Sequence, residues 1–569
     1  MLLDWLKNPG ATRGIHLAGD DGAWHFTSYA QLAADTRRIA NQLRARGAGR
    51  GQVVSLILDD PYGFVSSFMG TLLAGAVPAP LAPAAALRGT DRYVAHLGRV
   101  FSTANPCLVL TEDDHAGLVA PALKEAGCES AEVVCPGDLA DPDGRYDTMP
   151  GIDRRDEELA LLQFTSGSTG NPKGVRVTWG SFGANVEAIR RWLRWTDEDS
   201  FASWLPLHHD MGLIGGMVMP VTTGTDVWLM RPNQFLRSPL RWLECFGRRG
   251  VTLTTSPSFG YAYTARRVSP EQVDGMDFSR WRVAILGAER IDPVGVADFS
   301  ALLGPHGFSV RTLVGAYGLA ETTVAASGVP AGRGSVLAKI DAAELRDGEP
   351  VPVSGRGVLG EDRVGGNGWL TGCGVAVHGS ELSVVDADGA ELPEGHFGEI
   401  RLDGRSLAAG YLLGPGEVRP FGPDGLHTGD AGFIDNGELY VVGRIGESVK
   451  VRGTSLYAED VEAELNELRH LGGSVECAVA FGTTEEAGHV VVFAEGRITP
   501  DWLSAARDRV AAQTFGALDV TVLRGSRGSI SRTSSGKPRR RTMWERLLRP
   551  GTGPDWTVEF GSLPTAAKA

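Results

Sequence analysis

Patterns typical of strands and helices alternate along the N-terminal part of this chain. Residues 29–46 carry apolar side chains at helical spacing, and residues 53–58 form a short apolar run typical of a strand. A helix and a strand are predicted around Phe68 to Pro80, and residues 106–110 form another apolar run. The same alternation resumes between residues 281 and 314. Such alternation predicts a parallel α/β sheet with crossover helices.

The pattern changes further along the chain. Short strand patterns with turn residues predict a β-rich part at 381–443, and residues 444–447 are typical of a hinge. A smaller α/β unit is predicted at 448–549, followed by a loose tail at 550–569. The predicted fold class is therefore α/β: a large N-terminal domain, 1–443, of α/β subdomains plus a small β-rich subdomain, hinged to a small, mobile C-terminal α/β domain.

Composition argues against two broad classes of site. The chain has 55 basic and 69 acidic side chains among 569 residues, a formal net charge of −14, whereas a general nucleic-acid binder presents a basic surface. Six cysteines include no pair at CxxC spacing, so neither a zinc site nor a disulfide framework is indicated. We expect no nucleic-acid partner.

One uncharged stretch, residues 61–87, is long enough to cross a membrane. Pro78, Pro80 and Pro83 would break its second half, so we interpret it as a buried helix followed by a proline-rich strand. Asp4 lies where a signal peptide would be positively charged or apolar. The expectation is a soluble, cytoplasmic protein without stable membrane insertion.

Lysine is rare in this chain, with seven lysines beside 48 arginines. Three of the seven, Lys173, Lys450 and Lys537, lie in glycine-rich settings. A lysine ammonium reaches into a phosphate or carboxylate site as a compact point charge, whereas arginine is a broad planar fork. These three lysines are therefore candidates for contacting anionic groups.

A glycine-rich loop follows an apolar strand start in the segment LLQFTSGSTGNPKGV, residues 161–175. Glycines, hydroxyls and the Lys173 ammonium together form an anion cradle suited to phosphate. The spacing differs from a Walker A motif, because Gly174 follows Lys173 directly. The predicted phosphate-binding residues of this loop are Thr165, Ser166, Gly167, Ser168, Thr169, Gly170 and Lys173.

This loop and further segments in order resemble the acyl-activating, adenylate-forming superfamily, which includes acyl-CoA synthetases and fatty-acyl-AMP ligases. The segment WLPLHHDMGLIGG at 204–216 resembles the fatty-acyl-AMP ligase branch in particular. The other matching segments are GAE at 287–289, YGLAETT at 317–323, GEI at 398–400, GY at 410–411, TGD at 428–430, GR at 443–444, KVRG at 450–453 and TSSGK at 533–537.

The resemblance implies an ATP-dependent ligase that converts a hydrophobic, fatty-acid-like or natural-product carboxylic acid to acyl-AMP and pyrophosphate. The acyl group then passes to a phosphopantetheine thiol, on either CoA or an acyl carrier protein. Glu321 would ligate Mg²⁺, an ion that prefers oxygen ligands. Tyr317 would stack on adenine, and Asp430, helped by Arg444, would accept hydrogen bonds from the ribose hydroxyls. Further residues expected at the nucleotide are Gly287, Ala288, Glu289, Gly318 and Thr322.

Lys537 is expected to be the catalytic lysine of the small domain, reaching the carboxylate and the α-phosphate. The resemblance places His209 beside the acyl site, in a structural or gating role. Arg539, Arg540 and Arg541 are interpreted as a solvated run of charge rather than as contacts to a carrier or coenzyme phosphate. Residues expected near the acyl pocket or the thiol entrance are Trp204, Met211, Gly212, Pro257, Phe259, Lys450 and Gly453.

The sequence does not decide whether the acyl acceptor is CoA or a carrier protein. The glycine-rich segment 332–372 resembles the insertion of fatty-acyl-AMP ligases, which favours a carrier protein over CoA, although its composition is typical of a loop. The chain also departs from the family pattern at Trp179, Arg290, Ala458, Ser531 and Pro538. These departures keep two alternatives open: an enzyme that only thioesterifies a supplied acyl-adenylate, and a non-catalytic adenylate-binding protein.

Overall fold

A computed structural model describes most of the chain. The described residues are 2–84, 90–139, 154–166, 172–341, 344–364, 368–451, 454–472, 475–483, 488–514, 518–533, 537–548 and 556–564. The helical segments of eight or more residues are Tyr29–Ala45, Pro61–Ala74, Thr90–Ala104, Asp113–Glu125, Trp179–Trp192, the π-helix Met211–Val218, Pro239–Gly247, Ser258–Arg267, Pro293–Leu303, Ala458–Glu467, Pro500–Gln513 and Arg540–Leu547. Shorter α-helices are Met219–Thr223, Pro232–Arg237 and Arg469–Gly472.

Two sheets with parallel strands form the N-terminal part and confirm the predicted α/β class. The larger sheet has nine strands in the order Val375–Ala376, Ser327–Gly328, Leu313–Tyr317, Val283–Leu286, Leu253–Ser256, Phe201–Ser203, Val227–Leu229, Gly14–Ala18 and Trp24–Ser28. The smaller sheet is wholly parallel, in the order Val77–Pro80, Val53–Ile57, Leu108–Thr111 and Glu132–Val134.

The uncharged stretch at 61–87 begins as the helix Pro61–Ala74, in which every residue from Phe64 to Ala74 is buried. A left-handed glycine, Gly75 at φ 87°, ends the helix, and the strand Val77–Pro80 follows. Among the described residues, no helix has the length and apolar character that crossing a bilayer requires.

Two antiparallel sheets complete the large N-terminal part. One has the order Glu417–Arg419, Tyr411–Gly414, Pro172–Thr178 and Leu159–Ser166, and the other Ser380–Val385, Gly398–Gly404, Leu426–Asp435 and Glu438–Arg444. The second sheet lies within the segment predicted to be β-rich. Directly after it, the turn Ile445–Glu447 occupies the predicted hinge.

The segment 332–372 contains strands and is therefore not the loop that its composition suggests. The strands Val353–Val358, Val336–Ile340 and Trp369–Thr371 form a three-stranded sheet. Leu337 and Leu359 pack into a core cluster rich in aromatic side chains. Arg333 forms an ion pair with the buried carboxylate of Glu438, which fastens this segment to the neighbouring antiparallel sheet.

The C-terminal part of the chain builds cores of its own. Its sheet has the order Glu476–Thr483, Gly488–Glu495, Asp519–Gly525 and Trp556–Phe560, beside a two-stranded ribbon of Ser448–Val451 and Thr454–Tyr457. Val479 and Trp502 lie in one core and Phe493 and Trp544 in another. The last strand belongs to the segment predicted as a loose tail, so residues 556–560 are paired instead.

Candidate active site

One cavity of about 1990 Å³ opens where the parallel strands of the large sheet end. The strands that end at Ser256, Leu286 and Tyr317 lie side by side, so the segments that follow them meet at one edge. The predicted site residues that line the cavity are Thr165, Lys173, Trp204, His209, Met211, Pro257, Phe259, Gly287, Ala288, Glu289, Tyr317, Gly318, Glu321, Asp430, Arg444 and Lys537.

Among the predicted residues whose burial the structure describes, Gly212 and Thr322 do not line the cavity. Gly212 is buried, and a side chain there would come within 2.3 Å of the Pro206 carbonyl oxygen. Thr322 is also buried, and its hydroxyl donates a hydrogen bond of 3.1 Å to the Leu319 carbonyl. Both residues shape the backbone behind the cavity wall.

Part of the predicted phosphate loop lies outside the described residues, namely Gly167, Ser168, Thr169 and Gly170. The strands on either side, Leu159–Ser166 and Pro172–Thr178, pair antiparallel with Thr165 opposite Lys173. Lys173 Nζ lies 5.4 Å from the centre of the Tyr411 ring, a cation–π contact. Lys450 lies in the strand Ser448–Val451, and Gly453 is outside the described residues.

Tyr317, Asp430 and Arg444 form one hydrogen-bonded group. The Tyr317 hydroxyl donates to Asp430 Oδ2 at 2.7 Å, and Arg444 Nε lies 3.2 Å from the other oxygen, Oδ1. Asp430 and Arg444 are direct partners across neighbouring strands. Burial and the adjacent Asp430 carboxylate raise the pKa of Tyr317 well above its usual value, so its hydroxyl stays protonated and donates.

Glu321 is held by a second tyrosine. The Tyr411 hydroxyl donates to Glu321 Oε1 at 2.8 Å, and burial raises the pKa of Glu321. Among the described residues, no group of three or more His, Cys, Asp and Glu side chains could hold a metal ion. The Glu321 carboxylate has the oxygen ligands that Mg²⁺ prefers, and phosphate oxygens are of the same kind.

The segment 287–289 turns sharply after the strand Val283–Leu286. Ala288 adopts the left-handed region, with φ 68°, which is uncommon for a residue other than glycine. The Glu289 carboxylate accepts hydrogen bonds from Ser258 Oγ and Phe259 N, both at 2.9 Å. Burial raises the pKa of Glu289, although these two bonds and the charge of Lys537 oppose the rise.

His209 and Asp210 form a close pair, with 2.6 Å between His209 Nδ1 and Asp210 Oδ1. Burial alone would raise the pKa of Asp210, but His209, the Met211 backbone N–H and Lys537 lower it overall. The preceding His208 is buried, which lowers its pKa to about 3 and keeps it neutral. Its carbonyl accepts a bond of 3.0 Å from Gln163 Nε2, next to the phosphate loop.

Apolar side chains also line the cavity. Trp204 stacks on Phe235 with 4.1 Å between ring centres, and Met211, Pro257 and Phe259 are among the lining residues. Further apolar residues that line the cavity are Leu205, Leu229, Met230, Ala262, Ile285 and Trp369. Trp369 belongs to the three-stranded sheet of the segment 332–372, so this sheet contributes to the lining of the cavity.

Lys537 reaches the cavity from the C-terminal part of the chain. Its backbone N–H donates to Thr533 Oγ1 at 3.0 Å, and its carbonyl accepts from the Thr533 N–H at 2.7 Å. Its positive charge counteracts the effect of burial on the pKa of both Asp210 and Glu289, which line the same cavity.

The interpretation of Arg539–Arg541 as a solvated run is wrong for Arg540, which is buried. Its guanidinium forms ion pairs with the carboxylates of Glu447, Glu459 and Glu462. Sequence analysis missed this cluster, because the acids lie about 80 to 90 residues away. It also missed Tyr411 as the partner of Glu321, although the GY segment at 410–411 was a usable signal.

Comparisons with known proteins show which chains this one is similar to. The chain is 33% identical to a putative acyl-CoA synthetase of Caulobacter vibrioides, covering 90% of this chain and 88% of the relative. It is 30% identical to the medium-chain-fatty-acid–[acyl-carrier-protein] ligase TtuA of Teredinibacter turnerae, covering 70% and 65%. A structure from a study of fatty acyl-adenylate ligases of E. coli and L. pneumophila superposes with a TM-score of 0.84 at 27% identity, covering 96% of each chain.

The family model described as AMP-binding enzyme matches residues 7–412, most of the large N-terminal part. That range includes the phosphate loop, the 204–216 segment, the turn at 287–289 and Glu321. The chain therefore belongs to the AMP-binding, adenylate-forming enzyme family and is a ligase of the fatty-acid-activating type.

Proposed function

We propose that this ligase activates a hydrophobic, fatty-acid-like acid with ATP and passes the acyl group to the phosphopantetheine thiol of a carrier protein. One observation carries the proposal. The Tyr317–Asp430–Arg444 group, Glu321 and Lys537 converge on one cavity that has an apolar wall. The first group suits a nucleotide, Glu321 and Lys537 suit a metal-bound phosphate, and the apolar wall suits an apolar acid.

The nucleotide lies, in this proposal, between the turn at 287–289 and Tyr317. The aromatic ring of Tyr317 offers a stacking face for adenine, and its hydroxyl holds Asp430 in place. The Asp430 carboxylate, balanced by Arg444, accepts hydrogen bonds from the ribose hydroxyls. Gly318, next to Tyr317, lets the Val324 backbone approach closely, because a side chain there would come within 1.8 Å of the Val324 carbonyl oxygen.

Thr165 and Lys173 flank the loop that would hold the β- and γ-phosphates. Glu321 would hold Mg²⁺, which supplies charge neutralisation on the phosphate oxygens when bound. The hydrogen bond from Tyr411 keeps the Glu321 carboxylate oriented toward the cavity. Tyr411 also contacts Lys173, so one ring supports both the cation site and the phosphate loop.

The adenylation step forms one bond and breaks one bond. A carboxylate oxygen of the acid attacks the α-phosphorus of ATP, and pyrophosphate leaves with the bonding electrons. Lys537 lowers the repulsion between the approaching carboxylate and the phosphate, because its positive charge lines the same cavity. The chain supplies position and charge in this step rather than a nucleophile.

The acid lies along the apolar wall of Trp204, Met211, Pro257 and Phe259. His209 is held by Asp210 and lines the same cavity as these apolar residues. We assign His209 a gating role, because an ionised acid has no proton that a base would have to remove. The apolar lining favours fatty-acid-like substrates over amino acids, whose ammonium group would be left without a partner there.

The acceptor is the finer part of the proposal. The three-stranded sheet at 336–371 contributes Trp369 to the cavity lining. The segment 332–372 resembles the insertion of fatty-acyl-AMP ligases, and this resemblance supports transfer to a carrier protein. Among the relatives, one is named as a carrier-protein ligase and another as a putative acyl-CoA synthetase.

Product analysis tests the acceptor directly. The enzyme is incubated with ATP, Mg²⁺ and a panel of fatty acids, together with either CoA or a phosphopantetheine-loaded carrier protein, and thioesters are quantified by mass spectrometry. The proposal predicts faster formation of acyl-carrier protein than of acyl-CoA. Faster acyl-CoA formation would contradict the assigned acceptor. Thioester formation only from a synthetic acyl-adenylate would indicate an enzyme of the second half-reaction alone.

A further inference from the structure

An ion pair joins the cavity wall to the C-terminal part of the chain. Arg290 Nη1 contacts Asp460 Oδ1, across 170 positions of sequence. The side chains are 22% and 9% exposed, so water screens this pair much less than an ordinary surface pair. Arg290 directly follows Glu289 on the cavity wall, whereas Asp460 lies in the helix Ala458–Glu467.

Arg290 extends from a loop whose backbone is fixed. The left-handed turn at Ala288 sets the direction of the chain, and two hydrogen bonds hold the Glu289 carboxylate to the start of the helix Ser258–Arg267. Ser258 Oγ also lies 3.4 Å from the Arg290 carbonyl oxygen. The backbone position from which the Arg290 side chain extends is therefore well defined.

The helix that carries Asp460 also contacts the segment that carries Lys537. Glu462, two residues further along, accepts two hydrogen bonds of 2.9 and 2.8 Å from Arg540. Arg540 begins the helix Arg540–Leu547, three residues after Lys537. The helix Ala458–Glu467 thus contacts the cavity wall through Asp460 and the lysine-bearing segment through Glu462.

Separating the C-terminal part from the cavity wall would leave the Asp460 carboxylate without its ion-pair partner. Its second oxygen, Oδ2, is buried and has no hydrogen-bond partner among the described residues, while Oδ1 forms the ion pair with Arg290. A buried carboxylate that loses its cation is strongly unfavourable. The pair therefore favours the placement of the C-terminal part in which Lys537 lines the cavity.

We propose that Arg290 and Asp460 are a positioning pair, which holds the C-terminal part in the arrangement that adenylation requires. This inference rests on the proposed function, because it assigns the pair to the step that uses Lys537. Neither side chain is assigned a contact with substrate. Their effect on the reaction passes through the position of Lys537.

The test measures acid-dependent ATP–pyrophosphate exchange in Arg290→Gln, Asp460→Asn and the charge swap Arg290→Asp with Asp460→Arg. Each single variant should lower kcat for exchange by about ten- to a hundredfold, the scale expected when a reacting group is misplaced by an ångström. The swap should recover a substantial part of that loss. Arg267→Gln, on the exposed end of the neighbouring helix, is the matched control and should retain wild-type exchange.

Testing Arg290→Gln in the Lys537→Ala variant distinguishes a positioning role of the pair from a general structural role. In Lys537→Ala, adding Arg290→Gln should lower the residual exchange no further, because the lysine through which Arg290 acts is gone. A further loss of tenfold or more, single variants with wild-type kcat, or a swap no better than the singles would each overturn the inference.

A readout independent of activity keeps the inference apart from the proposed function. Hydrogen exchange of the backbone amides at 286–292, followed by mass spectrometry, should be faster in Arg290→Gln and Asp460→Asn than in the wild type and should slow again in the swap. Unchanged protection in both single variants would overturn the inference. Absence of ATP–pyrophosphate exchange in the wild type would contradict the proposed function instead, and the amide measurement would still decide the role of the pair.

Discussion

Tyr317 and Asp430 lie 113 residues apart, yet the tyrosine hydroxyl donates a hydrogen bond of 2.7 Å to the aspartate carboxylate. One residue ends a strand of the nine-stranded sheet, and the other lies in an antiparallel sheet. Arg444 contacts the remaining carboxylate oxygen. The nucleotide site proposed here is therefore assembled at the contact between two sheets.

Asp430→Asn should weaken ATP binding, because the amide loses the charge that pairs with Arg444 and accepts fewer hydrogen bonds. We expect the KM for ATP to rise about 10- to 100-fold, on the scale of hydrogen bonds to charged groups. Tyr317→Phe keeps the ring for stacking and removes only the hydroxyl, so its effect should be smaller. Pyrophosphate exchange against ATP concentration checks both, and an unchanged KM in Asp430→Asn would refute the assigned role.

Glu321→Gln should raise the Mg²⁺ concentration needed for half-maximal exchange, since the neutral amide is a poorer ligand. Tyr411→Phe frees the carboxylate from its hydrogen bond of 2.8 Å and should raise that concentration by about tenfold, a typical effect of losing a group that orients a ligand. We predict that the Mg²⁺ concentration needed for half-maximal exchange is highest in Glu321→Gln, lower in Tyr411→Phe and lowest in the wild type. Both variants should bind a stable acyl-adenylate analogue normally, because it lacks the β- and γ-phosphates.

Gly215 and Gly212 offer a matched pair in the π-helix Met211–Val218. A side chain at Gly215, which lines the cavity, would lie 3.6 Å from Thr255 Cγ2, an ordinary contact. Gly215→Ala should therefore fold normally and shift substrate preference toward shorter acids. Gly212→Ala should lower the free energy of unfolding by about 1–3 kcal/mol through overpacking against Pro206. Pyrophosphate exchange with straight-chain acids of different length checks Gly215→Ala, and thermal unfolding checks Gly212→Ala. An unchanged acid preference in Gly215→Ala would show that Gly215 does not line the acyl pocket.

The cluster around Arg540 predicts a pH effect on stability. One guanidinium faces three carboxylates, and burial, with the charges of Glu462 and Glu447, raises the pKa of Glu459 to about 7 against the opposing charge of Arg540. A carboxyl with a raised folded-state pKa contributes stability that is present below its unfolded pKa, near 4.5, and lost as the pH rises through about 7.

Glu459→Gln should remove that dependence, because glutamine resembles the protonated acid at every pH. The Tm of Glu459→Gln relative to the wild type should therefore increase between pH 5 and pH 8. Glu467→Gln, on the same helix but exposed, is the control and should show a difference that stays flat. A constant difference for Glu459→Gln as well would contradict the raised pKa.

Local pattern was enough to predict the elements that carry the site. Apolar runs at 283–286 and 313–317 are buried strands, and the hinge prediction at 444–447 falls on a turn that follows a strand. These features depend on hydrophobic periodicity and turn residues, which a sequence displays directly.

Features that depend on distant partners were missed. The strand Val353–Val358, with the sequence VSGRGV, has two glycines and low intrinsic strand preference, and its pairing with Val336–Ile340 stabilises it. The strand Trp556–Phe560 forms through its pairing with Asp519–Gly525. Arg540 looks like one charge in a basic run, because its three acidic partners come from other segments.

The central claim is that Lys537 promotes formation of an acyl-adenylate in this cavity. The most direct measurement is ATP–pyrophosphate exchange without any thiol, with and without fatty acids, in the wild type and in Lys537→Ala. The account predicts acid-dependent exchange that falls by roughly 10²–10³-fold in the variant, the scale of losing one preorganised charge partner. Equal exchange in Lys537→Ala and the wild type, or none with any acid in the wild type, would contradict it.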